Sequence, residues 1–179
     1  MLYQSPITVL FIGICVIVWF LINMNGREDL VQKYALIPWY VRQGQWYRIF
    51  TVGLIHIQIY HLVMNMYSLY NLGSFLEPFL GHFKFLVILV LSIIGGSLMV
   101  IYFGKRETTT VGISGGLYGL LGAYIILLWR AGLFTVPSIR YSIIQVLVVN
   151  ALISLMPNVS LLGHLGGMLV GLLLGFLLI

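Results

Sequence analysis

Long intervals without a charged residue constrain this chain more than any other feature of its sequence. No Asp, Glu, Lys or Arg occurs between Pro6 and Met24, and none occurs after Arg140 up to Ile179. A charged side chain at the centre of a bilayer is costly, and a helix needs roughly 20 apolar residues to cross one. These intervals therefore indicate membrane-spanning helices, and the charged residues between them indicate loops.

The composition excludes several classes of soluble protein. Of the 179 residues, 61% are hydrophobic and only 7% are charged. A soluble domain is about half apolar and a quarter charged, so this chain is neither a soluble globular enzyme nor a disordered regulator nor a secreted disulfide scaffold. The net charge of +5 comes from dispersed loop residues. Because they form no basic face, we expect no nucleic acid among the partners.

The charges divide the chain into six predicted spans within a single domain, residues 1–179. Pro157 breaks the long uncharged tail, which is too long for one crossing, into a fifth and a sixth span. The approximate spans are 6–24, 51–76, 85–104, 112–130, 141–156 and 160–179. The predicted fold is an all-α polytopic membrane bundle of six helices with a long first loop between spans one and two.

Basic residues in the loops bear on the orientation of the bundle. With both termini inside, the inner loops carry Lys84, Arg130 and Arg140, and the outer loops carry Arg27, Lys33, Arg42, Arg48, Lys105 and Arg106. The positive-inside rule taken alone therefore favours termini outside. A structured first loop could use its basic groups in internal bonds, so charge leaves the orientation open.

Four polar side chains fall in the early parts of spans two, four and six: His61, Asn65, Ser114 and His164. These spans are separated by an even number of crossings, so their N-terminal ends lie on the same side of the membrane. Polar groups inside a bilayer are expensive, and each is a functional candidate. We expect the four to lie at similar depth in one leaflet.

The spacing within each helix supports this grouping. His61 and Asn65 are four residues apart on one face, as are Ser114 and Tyr118. Small residues that let helices approach closely repeat in the fourth and sixth spans, at Gly115, Gly119 and Gly122 and at Gly163, Gly167, Gly171 and Gly175. Two such helices can bring Ser114 and His164 within hydrogen-bonding distance.

A Ser beside a His is the minimum for an activated nucleophile, since the imidazole accepts the hydroxyl proton as the oxygen attacks a carbonyl carbon. No acidic residue lies early in these spans to orient the ring. The sequence therefore predicts a Ser114–His164 dyad, with Tyr118 or a backbone group holding the ring. The Ser114 backbone N–H, with His61 and Asn65, can stabilise an oxyanion.

Each of these features also has a purely structural interpretation. A Ser in a membrane helix commonly bonds its own backbone, glycine-rich helices commonly serve packing, and one His can bridge helices. The chain has no His-Glu-x-x-His, and Asp29 is its only Asp, so zinc and aspartyl membrane proteases are disfavoured. We expect no metal and no cofactor. A channel or transporter stays open, weakened by the lack of a charge pair within the spans.

The polar residues stand in motifs that resemble those of rhomboid intramembrane serine proteases. Gly112-Ile113-Ser114-Gly115 resembles the family's G-x-S-G, and His61-Leu-Val-Met-Asn65 resembles its H-x-x-x-N. Gly163-His164-Leu-Gly-Gly167 resembles A-H-x-x-G, with glycine in place of alanine. The three motifs lie in order on spans two, four and six, and the resemblance covers nearly the whole chain.

The resemblance implies a role for each of these residues. Ser114 would be the nucleophile, and His164 would be its general base and then its general acid. His61 and Asn65 would serve the oxyanion hole, and Tyr118 would pack against His164. Structural support would come from Arg48, His56, Glu77, Gly112, Gly115 and Gly167. Arg48 matches the arginine of the family's Trp-Arg motif, in which Tyr47 here replaces the tryptophan. For Glu77, the alternative is a plain charge at a helix end. His82 is expected to be a loop residue without function.

The resemblance also implies a topology and a substrate class. Both termini would be cytoplasmic, which overrides the charge count, and the site would open to the outer face of what we expect to be a prokaryotic plasma membrane. The enzyme would cleave transmembrane segments of other proteins, and helix-destabilising residues in the substrate would assist. The fifth span is the expected moving helix. The alternative function is that of an inactive rhomboid-like protein that binds membrane clients.

Overall fold

A computed structural model describes residues 4–24 and 26–179 of the chain. Its helices are α1 (Pro6–Met24), α2 (Glu28–Tyr34), α3 (Pro38–Arg42), α4 (Arg48–Thr51), α5 (Ile59–Leu80), α6 (His82–Phe103), α7 (Ser114–Arg130), α8 (Pro137–Ser154) and α9 (Leu161–Leu178), with 3₁₀ turns at Val52–Leu54 and Leu133–Thr135. Within these residues there is no β-strand, and a single isolated bridge joins Leu36 to Thr110. The predicted all-α class is confirmed.

Several helices are long and apolar enough to cross a bilayer. In the described residues these are α1, α6, α8 and α9, and the Arg48–Leu54 segment with α5 makes a fifth candidate if their 93° bend lies within one broken span. α7 has 17 residues, which gives a length of about 26 Å at 1.5 Å per residue. The chain is therefore an integral, multi-pass membrane protein.

The second long helix begins later than the sequence indicates. α5 starts at Ile59 and ends at Leu80, whereas the predicted span was 51–76. Extended backbone at Ile55 and Gln58 separates it from the preceding short helix. α8 in contrast begins earlier than 141, because Pro137 fits the first turn of a helix, where the missing N–H costs no hydrogen bond.

α7 lies at the centre of the bundle and packs against α6 and α9. Backbone meets backbone along the α7–α9 contact: a Cβ added to Gly167 would collide with the carbonyl oxygen of Gly115, and one added to Gly171 would collide with the backbone of Gly119. In lipid, such close approach provides the dispersion contacts that hold helices together. The glycine spacing thus sets the distance between these two helices.

Arg48 organises the long first loop from a buried position. Its Nη1 donates to the carbonyl oxygens of Gln32 at 2.8 Å and Ala35 at 2.6 Å, and its Nε donates to Gln45 Oε1 at 2.8 Å. The Tyr47 ring lies 5.7 Å from the guanidinium carbon. Because Arg48 is only 4% exposed, these carbonyls supply the partners that a buried cation requires.

Glu77 binds the N-terminus of α1 at the end of the bundle away from the first loop. Its fully buried carboxylate accepts hydrogen bonds from the backbone N–H groups of Ile7 and Thr8, at 2.9 and 2.8 Å, and from the Thr8 hydroxyl. A carboxylate here satisfies the free N–H groups of a first helical turn. His82 is not a loop residue: it begins α6 and places Nδ1 2.8 Å from Glu77 Oε1.

Replacing Gly171 by alanine should destabilise the protein. The added methyl group would collide with the Gly119 backbone, which cannot move aside as a flexible side chain can. We expect the free energy of unfolding to fall by about 1–3 kcal/mol, measured by denaturation in detergent micelles. Gly13→Ala is the matched control, since nothing lies within 4 Å of its added methyl group. Equal stability of the two variants would contradict the proposed importance of the contact.

Candidate active site

The turn before α7 places Ser114 beside two polar residues of α5. Gly112 has φ 108°, a conformation that residues with a Cβ rarely adopt, and Ser114 is the first residue of the helix. A Cβ on Gly112 would lie 2.6 Å from His61 Cε1 and 3.4 Å from Asn65 Nδ2. The absence of a side chain at Gly112 therefore lets the start of α7 approach His61 and Asn65.

Ser114 and His164 are hydrogen-bonded across the α7–α9 contact. Ser114 Oγ lies 2.9 Å from His164 Nε2. His164 stands in the first turn of α9, which Ser160 caps by accepting a hydrogen bond from the Gly163 N–H. The His164 ring is stacked on Tyr118, with centroids 4.0 Å apart and planes inclined by 12°. The structure thus brings together Ser114, His164 and Tyr118, as the sequence predicts.

One residue of this network was not found by sequence reasoning. Ser154, the last residue of α8, places Oγ 2.8 Å from His164 Nδ1 and donates to the Asn150 carbonyl oxygen at 2.8 Å. The Tyr118 hydroxyl lies 2.7 Å from both Ser154 Oγ and the same carbonyl oxygen. The available signal was the short connection after Ser154, which places the end of α8 beside the start of α9.

The polar side chains of α5 lie on the other side of Ser114. Asn65 is buried, and its Nδ2 has no hydrogen-bond partner in the described part of the protein. His56 is fully buried behind His61, with ring centroids 5.1 Å apart in an edge-to-face arrangement. A buried donor without a partner is costly. The Asn65 amide is therefore available to an oxygen atom that arrives beside Gly112 and the Ser114 N–H.

The supporting residues of the sequence prediction lie at different distances from this centre. Gly115 and Gly167 form the backbone contact directly below Ser114 and His164. Arg48 lies in the first loop, where it donates hydrogen bonds to backbone carbonyl oxygens, and Glu77 lies in α5 beside the N-terminus of α1, where it accepts hydrogen bonds from backbone N–H groups. Over residues 4–24 and 26–179, no three His, Cys, Asp or Glu side chains come together as a metal site.

The fold and this centre define a class: a multi-pass membrane protein in which a Ser and a His from two glycine-packed helices share a hydrogen bond. A family model described as the Rhomboid domain matches residues 43–179. The chain belongs to the rhomboid family. The resemblance drawn from the three motifs is confirmed.

Named relatives agree with this assignment. The rhomboid protease GluP of Bacillus subtilis is 30% identical over 173 residues, which cover 94% of this chain and 34% of GluP. RHOMBOID-like protein 6, mitochondrial, of Arabidopsis thaliana is 32% identical over 87% of this chain and 52% of that protein. YdcA of Bacillus subtilis is 27% identical over 96% of this chain and 88% of YdcA. The chain spans about a third to a half of the first relatives' own length.

Gly112→Ala should impair the site far more than an alanine substitution at another glycine with a positive φ. The methyl group would displace His61 and shift the start of α7. We expect the rate at which a fluorophosphonate labels Ser114 to fall at least about tenfold, since small displacements of reacting groups are costly. Gly81→Ala is the control, because Gly81 also has a positive φ, 81°, but open space around it. Labelling of both variants at one rate would show that the collision with His61 does not impair the site.

Proposed function

We propose that this protein is an intramembrane serine endopeptidase that hydrolyses peptide bonds in or near transmembrane segments of other membrane proteins, with Ser114 and His164 as its catalytic dyad. The observation that carries the proposal is the 2.9 Å contact between Ser114 Oγ and His164 Nε2. Membership in a family whose relatives include a named protease supports it.

The geometry suits acyl transfer through a covalent intermediate. His164 Nε2 accepts the Ser114 hydroxyl proton while Oγ attacks the substrate carbonyl carbon, and His164 then gives that proton to the leaving amine. The oxyanion formed by the attack accepts hydrogen bonds from the Ser114 N–H, His61 and the Asn65 amide. A water molecule activated by His164 then hydrolyses the acyl-enzyme and restores Ser114.

Ser114→Ala and His164→Ala should each reduce cleavage of a single-span model substrate at least about 10³-fold, as removal of a nucleophile or its base does in other serine hydrolases. The measurement uses purified protein in detergent. Thr135→Ala is the control, because this exposed threonine bonds only the nearby Gly132 carbonyl oxygen. Cleavage by all variants at one rate would exclude the dyad.

The same preparation separates the alternative functions. A folded wild type that neither cleaves substrate nor reacts with a fluorophosphonate would be a client-binding rhomboid-like protein. Solute flux in proteoliposomes that survives Ser114→Ala would favour a channel or transporter. Labelling of Ser114 without cleavage would support the protease and reject only the chosen substrate.

Six spans with both termini cytoplasmic complete the proposed topology, in a prokaryotic plasma membrane. The bent segment with α5 would be the second span and α7 the fourth. At about 26 Å, α7 is shorter than a bilayer core of about 30 Å. It would therefore begin below the outer surface, with Ser114 inside the membrane under the first loop.

Substrate would enter between α5 and α8, with α8 as the moving helix. Only two residues of α8, Ile143 and Ser154, are buried. A cavity of about 480 Å³ separates it from α5 and α7, next to Phe75, Tyr124 and Ile143. A substrate segment must unwind to expose its carbonyl to Ser114, so Gly, Pro or polar residues in it would favour cleavage.

A cross-link across this gap should block cleavage of a transmembrane substrate and spare the dyad. We expect Phe75→Cys with Val146→Cys, joined by a thiol-specific linker, to cleave at least about tenfold more slowly and to react with a small fluorophosphonate at the wild-type rate. Cys15 is fully buried and does not compete for the reagent. Each single cysteine variant treated in the same way is the control. Unimpaired cleavage by the linked protein would place substrate entry elsewhere.

A further inference from the structure

The ring of His164 is held at both nitrogens, and the second partner comes from α8. Ser114 Oγ lies 2.9 Å from Nε2, and Ser154 Oγ lies 2.8 Å from Nδ1. Ser154 is 4% exposed, although most of α8 faces outward. A buried hydroxyl on a largely exposed helix, in contact with the candidate general base, requires a functional explanation.

The hydrogen bonds around Ser154 favour one tautomer of His164. Ser154 donates its hydroxyl proton to the Asn150 carbonyl oxygen at 2.8 Å. The Tyr118 hydroxyl lies 2.7 Å from both Ser154 Oγ and that carbonyl, and it has one proton, so it donates to Ser154 Oγ when Ser154 donates to the carbonyl. In this arrangement Ser154 offers only a lone pair to the imidazole. His164 then carries its proton on Nδ1, which leaves Nε2 free to accept the proton of Ser114.

We propose that Ser154 is a positioning residue for His164. Ser114, His164 and Ser154 then form a hydrogen-bonded triad in which a hydroxyl takes the third place. This proposal rests on the proposed function of the dyad. During attack, the proton of Ser114 Oγ moves to Nε2, while Nδ1 keeps its own proton. Ser154 neither gains nor loses a proton: it accepts the Nδ1 hydrogen bond in both charge states of the ring.

In the described part of the chain, no carboxylate lies where it could accept a hydrogen bond from His164 Nδ1. Glu77 binds the start of α1, and the other acidic residues, Glu28, Asp29 and Glu107, line a separate cavity under the first loop. A neutral hydroxyl stabilises an imidazolium less than a carboxylate does. We therefore expect Ser154 to contribute modestly to the rate, in the range of one neutral hydrogen bond.

Ser142 provides a comparison within the same helix. Ser142 and Ser154 both donate to the carbonyl oxygen four residues earlier, at 3.0 and 2.8 Å. Such back-bonding is the ordinary behaviour of a serine in a membrane helix. Only Ser154 adds contacts to another helix. The two serines therefore separate back-bonding from an effect on His164.

The test compares wild type with Ser154→Ala, Ser154→Thr and the control Ser142→Ala, as full-length protein in detergent. We expect Ser154→Ala to lower both kcat and the fluorophosphonate labelling rate by roughly threefold to tenfold, with KM unchanged. Ser154→Thr, which keeps the hydroxyl, should recover most of the rate. Ser142→Ala should match wild type in the fluorophosphonate labelling rate, which does not depend on the cavity that Ser142 lines. Nitrogen-15 NMR of labelled histidine should show His164 protonated at Nδ1 in wild type and a mixture of tautomers in Ser154→Ala.

The outcomes distinguish this proposal from the proposed function. Wild type that is folded but never labelled at Ser114 would exclude the dyad, whereas the NMR tautomer would still report on Ser154. A folded Ser154→Ala that labels at the wild-type rate, or a wild-type His164 protonated at Nε2, would overturn the positioning role. If Ser154→Ala does not fold, Ser154→Cys replaces it, since sulfur is similar in volume and a weak acceptor. Wild-type labelling of that variant would equally contradict the proposal.

Discussion

The close backbone contact between α7 and α9 is the constraint on which the candidate site depends. Ser114 and His164 come from different helices, and their side chains are short, so their 2.9 Å contact requires helices that almost touch. Gly115 against Gly167 and Gly119 against Gly171 provide that approach, because any Cβ at Gly167 or Gly171 would strike the facing backbone. Lipid gives no hydrophobic force that joins two apolar helices. The packing that stabilises the bundle and the packing that forms the hydrogen bond are therefore the same contact.

Residues that stand out by their chemical type could be singled out from the sequence, and residues whose contacts depend on a distant partner could not. Ser114, His164 and Asn65 are costly groups in a membrane, and their common depth could be read from the order of the spans. Ser154 carries no such signal, since a hydroxyl in a helix usually bonds its own backbone. Its contact with His164 depends on the turn after α8, where Asn158 adopts a φ of 64°. The bend before α5 was missed for a related reason: apolar composition marks a span and not its interruptions.

The basic residues in the loops show why a count of charges does not give the orientation of the bundle. In the folded protein, Arg42 donates to the Ile101 carbonyl oxygen, Arg48 is buried among carbonyls, and Arg27 hydrogen-bonds Asp29 and so lowers the pKa of that carboxyl. At the other end of the bundle, Lys84 and Arg130 bind the last carbonyl oxygens of α9. Basic residues at both ends are thus engaged in structure. The excess of basic residues in the first loop consequently says little about orientation.

The attachment of α8 would link the proposed substrate entry to the proposed chemistry. Along most of its length this helix has few buried residues. Among the described residues, its hydrogen bonds to other helices are made by the Asn150 carbonyl oxygen and the Ser154 hydroxyl. Those bonds end on His164, the proposed general base, and on Tyr118, whose ring is stacked on it. A helix that swings out to admit a substrate must therefore pivot near Ser154 or release Nδ1 of His164. Pivoting would keep the base oriented while the gap beside Phe75, toward the other end of α7 from Ser114, widens. Release would leave the ring held by its stacking on Tyr118 alone until the helix returned.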